Sequence, residues 1–144
     1  MNSTEESTVT PGTSLPPVQL HLRWQGCGEV SKTYWSRTRA RAQKDGRAFT
    51  LSIEDMNNLL MAQEKKCAIS GLPIETTKRH RYKTKATASL DRIDSSKGYT
   101  LDNVQWVHKH VNRMKHTFDQ AYFEDLCRRV NETTLQRTAS IAQG

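Results

Sequence analysis

The stretch Ser89–His116, SLDRIDSSKGYTLDNVQWVHKHVNRMKH, decides how this chain is read. Its beginning continues Ala86–Ile93 (ATASLDRI), where apolar and polar side chains alternate as they do on a half-buried strand. After Gly98, Val104–Val107 (VQWV) reads as a second short strand, and His108–Lys115 as a helix that follows at once. Strand, loop, strand and helix therefore succeed one another, with Asp91 near the end of the first strand and Asn112 on the helix. His116 lies four residues beyond Asn112, on the same helical face one turn further.

Upstream, Cys67–Pro73 (CAISGLP) has the pattern of a strand followed by a turn. Ser52 with Asp55 three residues later forms a short capping box, opening a helix through Ile53, Met56, Leu59 and Leu60 that should end near Lys65. Ser31 caps an earlier helix through Tyr34, Trp35, Thr38 and Ala42 that stops near Gly46, with Arg37, Arg39, Arg41 and Lys44 on its remaining surface. Downstream, a last helix from about Asp119 carries Tyr122, Phe123, Leu126 and Val130 on one stripe. Residues 1–20 are rich in Ser, Thr, Pro and Glu, and residues 133–144 are polar and unpatterned, so both read as flexible tails around one folded unit at 21–132.

The chain of 144 residues has room for a single domain. Its 22 Lys+Arg against 15 Asp+Glu, a surplus of +7, favour a polyanionic partner such as nucleic acid. The apolar runs fall far short of the ~20 residues that cross a bilayer, and the N-terminus has no basic start with an apolar centre, so membrane and secreted readings are disfavoured. Three widely spaced cysteines, Cys27, Cys67 and Cys127, provide neither a disulfide framework nor a four-cysteine zinc site. A reducing cytoplasm fits best.

With Asp91, Arg92, Asn103, Asn112 and Lys115 in this order, the segment resembles the HNH, or ββα-metal, endonucleases. Asp91 matches that family's Asp, Arg92 the position of its general-base His, Asn103 its middle Asn, Asn112 its helical ligand and Lys115 the basic residue three positions on. The preceding stretch from Trp35 to Ile74 is also similar to what precedes the motif in phage and bacterial members. The resemblance implies an α+β single domain with a central ββα-metal motif at about 86–116 flanked by helices. It also implies a DNA endonuclease dependent on one divalent cation, Mg2+ or Mn2+, in the cytoplasm of a bacterial host. In that reading Asp91 supplies a hard anionic oxygen and Asn112 a neutral carbonyl oxygen, with His116 as an added ligand or phosphate contact.

Arg92 departs from the family, because a guanidinium cannot accept a proton near neutral pH. Tyr99 is the first candidate to replace the base, its phenol acidified by a neighbouring guanidinium and metal, with Arg92 orienting it or clamping phosphate. His80, His108 and His110 are the other candidates; the last two stand two apart on a helix, so at most one of them faces the site. Asn103 is expected to tie the loop to the site by side-chain hydrogen bonds. Asp94, three residues after Asp91, falls on the opposite face of a continuing strand. Relatives often carry a structural zinc on two CxxC pairs; here those places hold Cys67 and Ser70, then His108 and Val111, so no structural zinc is expected.

Five basic residues, Lys78, Arg79, Arg81, Lys83 and Lys85, crowd the eight-residue run KRHRYKTK before the first strand. With Arg37 and Arg41 of the first helix they form a candidate clamp for the DNA backbone, one that holds position without reading sequence. Two rival functions remain open at this stage. One is a structure-selective nuclease of the Holliday-junction type, acting as a homodimer; the other is a nucleic-acid-binding module that has lost catalysis.

Overall fold

The structure is a computed structural model and describes residues 24–78 and 85–144. Near its start Gly26–Cys27 (β1) and Val30–Ser31 (β2) pair antiparallel in a minimal hairpin with no counterpart in the sequence expectations. Gly28 makes the turn at φ 54°, where a Cβ would collide with the amide of Asn57, so only glycine fits. Ser31 then caps helix Lys32–Lys44 (α1), its hydroxyl accepting from the Tyr34 backbone N–H at 3.0 Å. Helix Ile53–Ala62 (α2) opens on the expected reciprocal box: Ser52 Oγ accepts from Asp55 N at 3.0 Å, and Asp55 Oδ2 from Ser52 N at 2.9 Å.

Helix α2 ends three residues before Lys65, because Glu64 and Lys65 turn into positive φ and reverse the chain. Its cap residue Gln63 is thereby brought to the sheet. The Gln63 amide donates to Trp106 O at 2.8 Å and accepts from Trp106 N at 2.9 Å, standing in for a neighbouring strand. The strand expected within Cys67–Pro73 does not form. The segment folds into its own turn, Cys67 N donating to Leu72 O and Gly71 N to Cys67 O, while Ala68 N reaches out to Trp106 O; the bridge it forms is between Lys66 and Pro73.

Ala88–Arg92 (β3) and Val104–His108 (β4) pair antiparallel, with Leu90 opposite Trp106 and Asp91 opposite Gln105. A 3-10 turn at Leu101–Asn103 precedes β4, and helix Lys109–Lys115 (α3) follows it directly, within a residue of expectation at each end. Leu90, Trp106 and Val107 join Val30, Leu51, Met56, Leu60, Cys67, Ile74 and Val104 in one buried cluster, and Trp106 Nε1 donates to Met56 O at 2.9 Å. This core fastens α2 to β4.

Helix Gln120–Ala142 (α4) departs twice from expectation. It runs ten residues past 132, through the stretch whose composition reads as a tail. No Gly or Pro interrupts residues 99–143, and Arg128 and Arg129 pair with Asp125 and Glu132 at helical spacing along its surface. The apolar stripe is also not covered: Phe123 is buried, while Tyr122 and Val130 are 51% and 66% exposed. Among the described residues no helix is long and apolar enough to cross a membrane.

Candidate functional site

The register of the β3–β4 pair sets Asp91 against Gln105, and both are buried. An isolated carboxylate would not stay ionised in such surroundings without partners. Asp91 has three hydrogen-bond contacts. Gln105 Nε2 donates to its Oδ2 at 3.0 Å, and Lys115 Nζ stands 3.0 Å from Oδ2 and 3.2 Å from Oδ1. Lys115, which closes α3, also donates to Arg92 O at 3.0 Å and is fully buried. The basic residue expected on the helix thus turns inward onto Asp91.

A cavity of about 150 Å³ opens beside this pair. Ser89, Asp91 and Arg92 of β3 form one wall; Asn112 and His116 come from α3 and its cap, Tyr34, Thr38 and Arg41 from α1, and Ser95 and Tyr99 from the loop. Asp91, Asn112 and His116 all line this cavity. Asn112 Nδ2 donates to Ser89 Oγ at 2.8 Å, and among the described residues its carbonyl oxygen has no hydrogen-bond donor. His116 caps α3 at φ 52°, and its Nδ1 lies 3.1 Å from Thr117 Oγ1.

Arg92 and Tyr99 pack together, the guanidinium 5.3 Å from the ring centroid. Arg92 also donates to Ser95 O at 2.7 Å and Lys97 O at 2.8 Å, so part of the guanidinium holds the loop. Tyr99 is fixed on its other side by Phe49, with ring centroids 5.8 Å apart. Asn103 performs the tying role expected of it: its amide accepts from Asp94 N at 2.9 Å and donates to Asp94 O and Gly98 O. It is buried behind the loop and does not line the cavity. Asp94 faces away, into a turn of its own, where hydrogen bonds from Ser96 and then the Lys97 charge hold its carboxyl below the usual range.

Neither His108 nor His110 lines the cavity; their rings lean on each other at 5.0 Å where β4 passes into α3. His80, Arg79, Arg81 and Lys83 lie outside the described residues. Of the remaining candidate clamp, exposed Arg41 borders the cavity, and Arg37 borders a larger neighbouring one of about 460 Å³. Tyr34 stands between the two. Lys78 Nζ sits 5.6 Å from the Trp24 ring centroid, and Lys85 is exposed.

Tyr34, Ser89 and Gln105 are cavity or support residues that the sequence expectations do not single out for the site, and Lys115, expected as the motif's basic residue, is not expected against Asp91. Tyr34 was legible only as a helix residue, yet its hydroxyl accepts from Leu90 N at 2.9 Å. Burial pushes its phenol upward, against the hydrogen bonds from Leu90 and Ser89 that pull it down. Gln105 announces itself weakly, as the polar member of a four-residue run buried throughout.

The donor set fits a divalent cation in kind, with one carboxylate, one amide carbonyl and one imidazole around the same small cavity. Among the described residues no three His, Cys, Asp or Glu side chains cluster as metal ligands, so any such site depends on the Asn112 amide. Cys67 Sγ accepts from Ser70 N at 3.3 Å. Burial alone would raise its thiol, but hydrogen bonds from Ser70, His108 and Ile69 outweigh that and hold it below its ordinary value.

No protein-family model and no curated protein matches this chain. Among solved structures, the rare-cutting HNH restriction endonuclease PacI, described for its mechanism of DNA perturbation, is similar with a TM-score of 0.52 and 20% identity. The match covers 80% of this chain and 87% of that one. The likeness at this identity is one of fold: a small mixed α/β chain with an HNH-like architecture.

Proposed function

We propose that this chain is a divalent-metal-dependent DNA endonuclease built on a one-metal ββα site. The observation that carries the reading is the convergence of Asp91, Asn112 and His116 on one cavity bordered by Arg41, Arg92 and Tyr99. A bound Mg2+ or Mn2+ would supply a Lewis acid for the scissile phosphate and its leaving oxygen. Asp91 and Asn112 would hold it, with His116 as third ligand or phosphate contact.

The residues divide the remaining work. Water attacks phosphorus and the bond to the leaving sugar oxygen breaks; Tyr99 is the group that takes the proton from the attacking water. Arg92 holds Tyr99 by its ring and the loop by its carbonyls. Asn103 fixes that loop, and so acts on the reaction through Tyr99. Arg37, Arg41, Lys78 and Lys85, joined by Arg79, Arg81 and Lys83, grip the DNA backbone. The resemblance to HNH endonucleases supports the cytoplasm of a bacterial host as its place of action.

One observation favours a second reading, a nucleic-acid-binding module without catalysis: the Asp91 carboxylate is already engaged by Lys115 and Gln105. Supercoiled plasmid incubated with the protein in Mg2+, Mn2+ or EDTA separates the two. Conversion to open-circular or linear DNA in metal only, lost in Asn112→Ala, is the outcome expected of the nuclease. A gel shift that is metal-independent, with the plasmid still supercoiled in every metal, overturns it in favour of the binding module.

A further inference from the structure

Helix α4 reaches the candidate site through a single line of amides. Gln105 Nε2 donates to Asp91 Oδ2 at 3.0 Å and also to Gln120 Oε1 at 2.8 Å. Gln120 is the first residue of α4, and its own Nε2 donates to Glu124 Oε1, one turn on, at 2.9 Å. Glu124, Gln120, Gln105 and Asp91 are thus joined in one line, Gln105 donating outward to both Asp91 and Gln120, and Gln120 in turn to Glu124.

An amide group has two N–H donors, and here both of those on Gln105 are spent, one on each neighbour. Turned over, the same group would present its carbonyl oxygen to a carboxylate on one side and a carbonyl on the other. Gln120 therefore fixes which way Gln105 faces, and Gln105 fixes the plane of Asp91. Lys115 does a different job: its ammonium neutralises Asp91, but a point charge with rotatable donors specifies no carboxylate orientation.

We propose that Gln105 and Gln120 are positioning residues that orient Asp91 for its cation, so that the first turn of α4 governs metal affinity from outside the ββα segment. The inference rests on the reading of Asp91 as a metal ligand. Partners of this kind, once removed, typically cost 10- to 100-fold in metal affinity.

Calorimetric titration of the full chain with MnCl2, without DNA, tests it, with thermal melts of each variant alongside. Gln120→Leu keeps the bulk but removes the acceptor, and its Mn2+ affinity should fall about tenfold. Gln120→Glu keeps an acceptor oxygen for Gln105 and should bind Mn2+ at least as tightly as the unaltered chain. In plasmid nicking, Gln120→Leu should raise the Mn2+ concentration for half-maximal rate while leaving the maximum near its original value. Mn2+ affinity unchanged in Gln120→Leu, or lost equally in both variants, overturns the positioning role. If the unaltered chain binds no Mn2+, the reading of Asp91 as a ligand fails, and this inference with it.

Discussion

The ammonium of Lys115 sits 3.0 Å from one carboxylate oxygen of Asp91 and 3.2 Å from the other, with the lysine side chain wholly out of solvent. The pair joins the last residue of α3 to β3 across 24 positions of sequence. Lysine is seldom fully buried unless paired, and here its remaining contact, to Arg92 O, completes its satisfaction. The same pair that locks helix to strand also presents Asp91 to the cavity.

Breaking this pair from the lysine side leaves a carboxylate buried without its counter-charge, a change that costs about 3–5 kcal/mol. Lys115→Met should therefore unfold in urea at a markedly lower midpoint. The double variant Asp91→Leu, Lys115→Met removes both charges and should recover much of the loss. A single variant as stable as the original chain would place the lysine in solvent.

Asn112 offers a cleaner probe of chemistry than Asp91, because Asp91→Ala strands Lys115 and perturbs the fold. Asn112 is half-buried, and among the described residues its side chain makes one hydrogen bond, to Ser89 Oγ at 2.8 Å. Asn112→Ala should cost about 1 kcal/mol of stability while abolishing metal-dependent plasmid cleavage. Folded protein with undiminished cleavage would remove Asn112 from the site.

Tyr99 is held by its ring, against Phe49 and Arg92, so Tyr99→Phe preserves the packing. If the phenol accepts the proton of the attacking water, single-turnover cleavage should slow by roughly 10²–10⁴-fold at unchanged melting temperature. An unaltered rate would pass the role to another group or to bulk hydroxide.

Legibility in the sequence followed the range of the interactions. The capping box of Ser52 and Asp55, the cap at Ser31 and the order of β3, β4 and α3 depend on neighbours within a few residues, and each lies at or within a residue or two of its predicted place. Asn103 was legible because a side chain that ties a loop bonds to backbone close by, here at Asp94 and Gly98. Lys115 and Gln105 were not, since their partner Asp91 is 24 and 14 residues away and nothing local distinguishes an inward lysine from a solvated one. The hairpin of β1 and β2 escaped because two residues per strand cannot display alternation. The end of α2 comes earlier than expected because Glu64 and Lys65 turn to positive φ, a reversal that sets Gln63 against Trp106, 43 residues on.

His108 predicts a response to acid. Partial burial, then the charges of His110 and Lys109, hold its imidazole below the ordinary value of 6.5. A group depressed on folding contributes stability that is present above its unfolded value and lost as pH falls through the folded one. Melting temperature should thus decline between pH 7 and pH 5, and His108→Gln should flatten that decline. An identical pH dependence in the variant would assign the loss to other groups.

Helix α4 makes opposite demands at its two ends. Phe123 is buried, and Phe123→Ala should cost about 3 kcal/mol. Every residue from 128 to 144 is exposed, and ending the chain after Val130 removes no buried side chain; the ion pair it takes away, Arg128 with Glu132, lies at the surface, where such pairs contribute little. The shortened protein should keep its urea midpoint and its Mn2+ affinity, because Gln120 and Glu124 remain. A large, concentration-dependent loss of stability would instead mean that the exposed Val130, Leu135 and Ile141 are covered by a second copy in solution. The homodimer would then be part of the folded state, with the far half of α4 as its contact.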